Sequence, residues 1–382
     1  MDVSLSENHL MIQQMVREFA AKEIAPYSAR WDEDEEFPAD VIRKLGALGI
    51  TGLLTPEEYG GGGGDMLSFV IALEELAKVD SSVAATVEVV GSLCEHLLLN
   101  FGTEEQKQRW LVPLAEGKTI AAFALTEPES GSDAAAMTTT ADLVDGHWVV
   151  NGTKSFITNS GTPMTAFVLV AAVTGHDEEG KKEISTIIVP RDAPGFTVGP
   201  LYRKLGWRAS DTRPLYFEDC RVPDANILGV RGRGFAQSLS ALDVGRVAIS
   251  AMAVGLAEAC LQLSLAHAKQ RQAFGGPLSK LQAIQFKLAD MAVAVDLARL
   301  ATYRAAVLLD QGKPFKKEAA IAKLYSSEAA LRVVDEALQI HGGLGFMEDG
   351  PVARFYRDAK VLTIGEGMSE VLRLIIAREL GC

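Results

Sequence analysis

Apolar positions Ile12, Met15, Val16, Phe19 and Ile24 fall on one stripe at helical spacing. Val41, Leu45 and Leu48 repeat at four and three residues behind Pro38 and Asp40, a plausible helix start. The period then changes. Residues 120–125, 148–150, 155–158, 167–173 and 184–189 are short β-favouring runs. Asn151-Gly152 stands between two of them and predicts a hairpin, because a type I′ turn needs positive φ at both central residues. Helical spacing returns over 247–270, 281–309 and 319–340, which are free of proline and rich in Ala, Leu and Ile. Ala294, Ala298, Ala301 and Ala305 give one of these helices a face that permits close approach, within the chain or between subunits.

Proline sharpens the division. Seven of the fourteen prolines lie in 118–230, where loops between strands tolerate them better than helices do. The pattern predicts an α+β chain of several domains. Residues 1–117 form an N-terminal helical domain, 118–230 a small antiparallel barrel or sandwich, and 231–382 a helical bundle. The five glycines 60–64 cannot hold a helix and form a loop; no lysine follows them as a P-loop requires.

Composition then removes classes of function. Of 382 residues, 48% are hydrophobic and 23% charged, the balance of a soluble globular protein rather than a disordered one. A net charge of −13 argues against a nucleic-acid partner, which needs clustered Lys and Arg. The four cysteines form no C-x-x-C and the six histidines no H-E-x-x-H, so no metal is expected. Scattered thiols read as buried small hydrophobes in a reducing, cytoplasmic setting. The first residues lack a signal-peptide pattern, and no uninterrupted apolar run approaches the ~18 residues of a spanning helix, so membrane insertion is not expected.

Three segments carry candidate chemistry. Residues 123–133, Phe-Ala-Leu-Thr-Glu-Pro-Glu-Ser-Gly-Ser-Asp, read as a strand that ends at Pro128 and turns through Gly131. Such a turn is either ordinary polar surface or a set of N–H and hydroxyl donors for a ligand. Residues 339–346, Gln-Ile-His-Gly-Gly-Leu-Gly-Phe, end a helix at paired glycines and are no dinucleotide fingerprint. Residues 364–370, Ile-Gly-Glu-Gly-Met-Ser-Glu, set Glu366 between glycines before a helix. That acid is a base with a raised pKa or a helix-terminal charge.

In this order the segments resemble the acyl-CoA dehydrogenase family, flavoenzymes that desaturate acyl thioesters. Asp243-Val-Gly-Arg246, 271–275 (Arg-Gln-Ala-Phe-Gly) with Leu281-Gln282, 156–159 (Phe-Ile-Thr-Asn) and 355–360 (Phe-Tyr-Arg-Asp-Ala-Lys) extend the resemblance over essentially the whole chain. It implies a middle antiparallel β-barrel, a C-terminal four-helix bundle and FAD between them. Phe123, Leu125, Thr126, Gly131, Ser132, Phe156, Ile157 and Thr158 are the implied barrel-side contacts. Arg271, Phe274, Gln282, Gln339, Gly342 and Gly343 resemble positions that hold the far end of a neighbouring subunit's FAD, which implies a homo-oligomer, commonly a tetramer. Glu366 is the implied base. Ser132, Asp243, Arg246 and Gly367 are implied at the acyl-CoA, an i,i+3 ion pair being the other reading of Asp243 and Arg246. Thr86, Val89, Leu93 and Leu242 are candidate pocket liners, and electron-transfer flavoprotein is the implied acceptor.

Some members take their base from the segment matching Asp243–Arg246, but Val244 and Gly245 are not basic. Three positions depart from the family. Met368 stands in place of the usual Thr or Ser, Gly365 in place of a bulkier residue, and Phe156 where many members carry Trp. An acyl-CoA oxidase, a carrier-protein-bound acyl dehydrogenase or a catalytically dead assembly homologue are the alternatives on the same scaffold.

Overall fold

The first apolar stripe folds as α1 (Glu7–Phe19), where the Ser6 hydroxyl accepts from the His9 N–H and the His9 ring accepts from the Ser6 N–H. The computed structural model describes residues 4–382. After α1 come α2 (Ser28–Glu33), α3 (Ala39–Ala47), α4 (Met66–Ala77), α5 (Ser81–Glu88), α6 (His96–Phe101), α7 (Glu104–Gln106) and α8 (Val112–Ala115). Every residue of α4 and α5 is buried, so these two helices are the centre of the N-terminal layer. A π-helical stretch, Val89–Glu95, joins α5 to α6. The glycine loop 60–64 folds back on 52–56, and Gly61, Gly62, Gly63 and Gly64 all donate their N–H groups to its carbonyls. Those donors are therefore not available to an anion.

The middle region is an eight-stranded sheet in the order β6-β7-β3-β2-β4-β5-β8, with β1 beside β4. The strands are β1 (Ile120–Ala124), β2 (Thr140–Val144), β3 (His147–Thr158), β4 (Thr165–His176), β5 (Lys182–Pro190), β6 (Phe196–Val198), β7 (Thr212–Pro223) and β8 (Ile227–Leu228). Pairing is antiparallel except for β1 with β4 and the single Thr140–Val173 contact.

The expected hairpin at Asn151-Gly152 is not a turn. Both residues lie inside β3, at a register shift against β7. A Cβ on Gly152 would stand 2.5 Å from Thr139 Oγ1, so glycine is there for close approach. The turn falls instead at Asp145-Gly146, both at positive φ, joining β2 to β3. Strand β7 escaped the sequence pattern because Asp219, at positive φ, breaks the alternation between Leu215, Phe217 and Cys220, Val222.

The C-terminal bundle is α9 (Gly234–Gln270), α10 (Gln282–Asp310), α11 (Lys316–His341), α12 (Pro351–Ala359) and α13 (Ser369–Glu379). The Ala face of α10 turns inward, with Ala298 and Ala305 buried. Phe286, Val293, Leu297 and Leu300, on the same helix, remain exposed.

Two expectations change. Residues 81–101 and α9 are each long and apolar enough to cross a membrane, yet 89% and 78% of those windows are buried inside the protein. The count along the sequence stopped at Glu88 and Glu95, which the fold buries. Of the four cysteines, Cys94, Cys220 and Cys260 are buried, but Cys382 is exposed.

Candidate active site

Glu366 sits on the turn between α12 and α13 at φ 53°, a conformation that L-residues rarely hold. The surroundings fix it. Arg246 Nε donates to the Glu366 carbonyl at 3.3 Å, and Lys323 Nζ donates to the Gly367 carbonyl at 2.6 Å. Asp358, eight residues earlier on α12, is fully buried and accepts from the Ser81 hydroxyl and the Trp207 N–H, both at 2.7 Å. It ties α12 to α5 and to the sheet, and burial pushes its carboxyl up to about 6. The 355–360 segment is thus the support for the glutamate.

The Glu366 carboxyl points at α9, where a Cβ on residue 245 would lie 2.3 Å from Oε2. Gly245 is the vacant side-chain position that the carboxyl fills. Burial pushes Glu366 up to about 7, opposed by a hydrogen bond from Glu88 and by the charges of Lys323 and Arg246. Its Oε2 is buried and, among the described residues, has no donor. Lys323, itself fully buried, is pushed down to about 8 by desolvation, against the attraction of Glu366. The arrangement is a desolvated carboxylate with one oxygen left to receive a proton.

The turn after β1 meets the Glu366 loop through Ser132. Glu127 is buried and accepts from Lys154 Nζ at 2.8 Å, Thr139 N–H at 2.9 Å and Thr138 N–H at 2.6 Å. Lys154, on β3 with its side chain wholly buried, also donates to the Leu125 carbonyl at 3.0 Å. These bonds shape the loop that presents Thr126, Gly131 and Ser132. The Ser132 hydroxyl reaches Met368 Sδ at 3.1 Å, bridging the two loops. Met368 is the N-cap of α13 and gives it no side-chain cap.

The residues present fit a flavin here. Phe156 holds a ring that is 66% exposed, at φ 61°, beside Tyr202. A Cβ on Gly131 would meet no atom within 4 Å, so space is open above the turn. Thr126, Ser132 and Thr158 supply hydroxyls. Phe123 is partly buried against Leu125, itself buried in a small cluster with Met137. Ile157 packs its side chain into the sheet core, which leaves only its backbone for a ligand.

The second predicted set gathers elsewhere. Arg271 caps α9, and Phe274, 93% exposed, lies with Gly275 at the tip of the 272–277 hairpin. Gln282 opens α10, while Gln339, Gly342 and Gly343 end α11. His267 and His341 stack at 4.4 Å and hold the ends of α9 and α11 together. Along α9, Gly245 and Arg271 are separated by 26 residues, roughly 39 Å of helix. Asp243 and Arg246 form an ion pair, with Arg246 4% exposed. Of the candidate pocket liners, Thr86, Val89 and Leu93 are buried on the 81–101 stretch, and Leu242 is partly buried beside Leu125.

Sequence reasoning did not single out Glu88, Lys323 or the Glu127–Lys154 pair. A lone charge in an otherwise small and apolar run is the signal at Glu88 within 83–94 and at Lys323 within 319–327.

Comparison with known proteins agrees with this geometry. The chain matches the acyl-CoA dehydrogenase N-terminal domain over residues 6–118, the middle domain over 122–220 and the C-terminal domain over 232–381. It is 49% identical over 380 residues to a probable acyl-CoA dehydrogenase, YngJ, of Bacillus subtilis (strain 168), covering 100% of both chains. Butyryl-CoA dehydrogenase from Megasphaera elsdenii superposes with a TM-score of 0.97 at 42% identity, covering 100% of both chains. A chain in a structure of the electron transferring flavoprotein of Acidaminococcus fermentans superposes with a TM-score of 0.96 at 42% identity, covering 100% of this chain and 99% of that one. Fold and full-length similarity converge, and the chain belongs to the acyl-CoA dehydrogenase family of FAD-dependent oxidoreductases.

Proposed function

We propose that the protein converts an acyl-CoA thioester to its 2-enoyl-CoA, with Glu366 removing the Cα proton. The observation that carries this reading is the Glu366 carboxyl, with Oε2 buried and taking no bond from an N–H or hydroxyl among the described residues. A desolvated carboxylate is a stronger base than one in water, and a pKa near the working pH suits general-base catalysis. Bound FAD supplies the two-electron acceptor for the Cβ hydride.

The chain's own groups prepare the rest. The Glu366 N–H makes no backbone hydrogen bond among the described residues and is free for a thioester oxygen, whose developing charge it would stabilise. Ser132, Asp243, Arg246 and Gly367 border the same space and are assigned to the substrate. The similarity to a butyryl-CoA dehydrogenase supports a short acyl chain, and the similarity to a chain in an electron transferring flavoprotein structure supports such a flavoprotein as acceptor. Soluble, cytoplasmic action accords with the unpaired thiols.

Arg271, Phe274, Gln282, Gln339, Gly342 and Gly343 are assigned to the FAD of a neighbouring subunit. About 39 Å of helix is farther than one dinucleotide with its reactive ring at Glu366 can reach. The exposed apolar face of α10 supports assembly, and a homotetramer is the proposed state.

The test is anaerobic mixing with straight, branched and cyclic acyl-CoAs. Flavin bleaching with butyryl-CoA and formation of the 2-enoyl product are expected. A colourless protein that takes up no FAD would overturn the reading. Peroxide formed at the rate of turnover in air would replace the proposed acceptor with oxygen.

A further inference from the structure

Glu88 ends α5 with its carboxyl in hydrogen-bonding reach of Glu366. It is 1% exposed. Its other contact is the Ser92 hydroxyl, which donates to Glu88 Oε1. An ionised carboxylate only accepts hydrogen bonds, so two ionised carboxylates in contact have nothing to share. Two like charges in contact and away from water repel strongly. The pair therefore holds one proton at neutral pH and titrates as a unit.

The neighbours decide which member carries the charge. Around Glu366 stand Lys323 of α11 and Arg246 of α9, the latter paired with Asp243. Around Glu88 are the neutral Ser92 and, further along the same helical run, the buried Cys94 thiol and Glu95, whose carboxyl takes a hydrogen bond from Thr55. The cations face Glu366, so the negative charge resides there and the proton on Glu88.

Resting on the reading of Glu366 as the base, we propose that Glu88 is a positioning residue, kept protonated to donate a hydrogen bond that orients the Glu366 carboxylate and holds it ionised. The directions agree: Glu88 is raised well above the usual carboxylate range by burial and by the charge of Glu366, and its hydrogen bond lowers Glu366. The arrangement lets a base be buried deeply enough to be strong yet remain unprotonated before substrate arrives.

Two variants separate this role from space filling. Glu88→Leu removes the donor, and Glu88→Gln restores one as an amide N–H. The readouts are the pH profile of flavin bleaching with butyryl-CoA and the pH profile of deuterium uptake at Cα of methylthioacetyl-CoA. That thioester has sulfur at the β position and no hydride to give, so it reports the base alone. Glu88→Leu should move the acid limb of both profiles upward by about one pH unit, close to tenfold in rate on the acid side. Glu88→Gln should return the limb toward its wild-type position. Superimposed wild-type and leucine profiles, or equal shifts in both variants, would overturn the proposal. Glu88→Ala carries the same comparison should the leucine variant not fold. Wild-type protein that neither bleaches nor exchanges would instead overturn the assignment of Glu366.

Discussion

Glu127 and Glu366 lie on the two loops that the Ser132–Met368 contact joins, and their surroundings give the same side chain opposite properties. Glu127 is met by an ammonium and two backbone N–H groups. Burial raises its pKa, but the Lys154 charge and the hydrogen bonds from Lys154, Thr139 and Thr138 overcome it and hold the carboxyl at about 2. Glu366 is opposed only by a hydrogen bond from Glu88 and by the charges of Lys323 and Arg246, and burial outweighs them. A carboxylate that is satisfied on every side is a structural post. A carboxylate left one bond short is a base.

Removing the base should give the largest effect. Glu366→Gln keeps size but loses the accepting oxygen, and bleaching should slow by about 10²–10⁴ while FAD and substrate still bind. In the wild type the rate should climb as pH rises through about 7, since the base works ionised. Stability runs the other way. A carboxyl raised in the folded state favours folding at low pH, and that benefit is lost as pH rises through about 7. Glu366→Gln should therefore gain more in Tm at pH 8.5 than at pH 5.5. Equal gains, or activity within about tenfold of wild type, would erase the contrast with Glu127.

Glu127 should respond in stability first. Its depressed pKa contributes stability that is present above the ordinary carboxylate range and lost as pH falls toward about 2. Lys154→Met leaves a buried carboxylate without its cation, at a cost of about 3–5 kcal/mol in chemical denaturation. Adding Glu127→Gln should recover part of that loss. A single variant as stable as wild type would show that the pair does not hold the loop.

Gly245→Ala tests position alone. The new Cβ would collide with Glu366 Oε2, and displacing a reacting group by about 1 Å can cost about 10²-fold in rate. Alanine also favours the helix by about 1 kcal/mol over glycine, so stability should hold while activity falls. Loss of both together would mean that the clash is relieved by the backbone of α9 instead of by the carboxyl.

Met368→Thr touches the seam between the two loops. Threonine can cap α13, worth about 0.5–2 kcal/mol, but it forgoes the thioether contact with Ser132. A small rise in Tm with little change in rate is expected. A fall would show that the Ser132–Met368 contact matters more than the cap.

The three-part organisation was legible because it rests on local patterns. Apolar spacing and proline avoidance gave α9, α10 and α11, and the short β-favouring runs gave β1, β4 and β5. Glu366 was legible as a candidate because glycines on both sides leave its carboxyl room beside a ligand, but the spacing left base and helix-terminal charge equally open and the family resemblance chose between them. The Asn151-Gly152 dipeptide misled because its glycine serves the approach of Thr139, which is distant in sequence. The exposed face of α10 and the cluster from Arg271 to Gly343 could be named as positions, but their distance from Glu366 comes only from the length and direction of α9.

By itself, then, the sequence determined the element types, their order and the identity of the candidate base, since each depends on residues within a few positions of one another. Charge states were decided in three dimensions. Glu88, Glu127, Glu366, Lys154 and Lys323 are separated along the chain by tens to hundreds of residues, and each pKa depends on which of the others folding brings near and on how much water it removes. Gly245 shows the same limit from the other side. In the sequence it is a missing base, and in the fold it is the space that the base occupies.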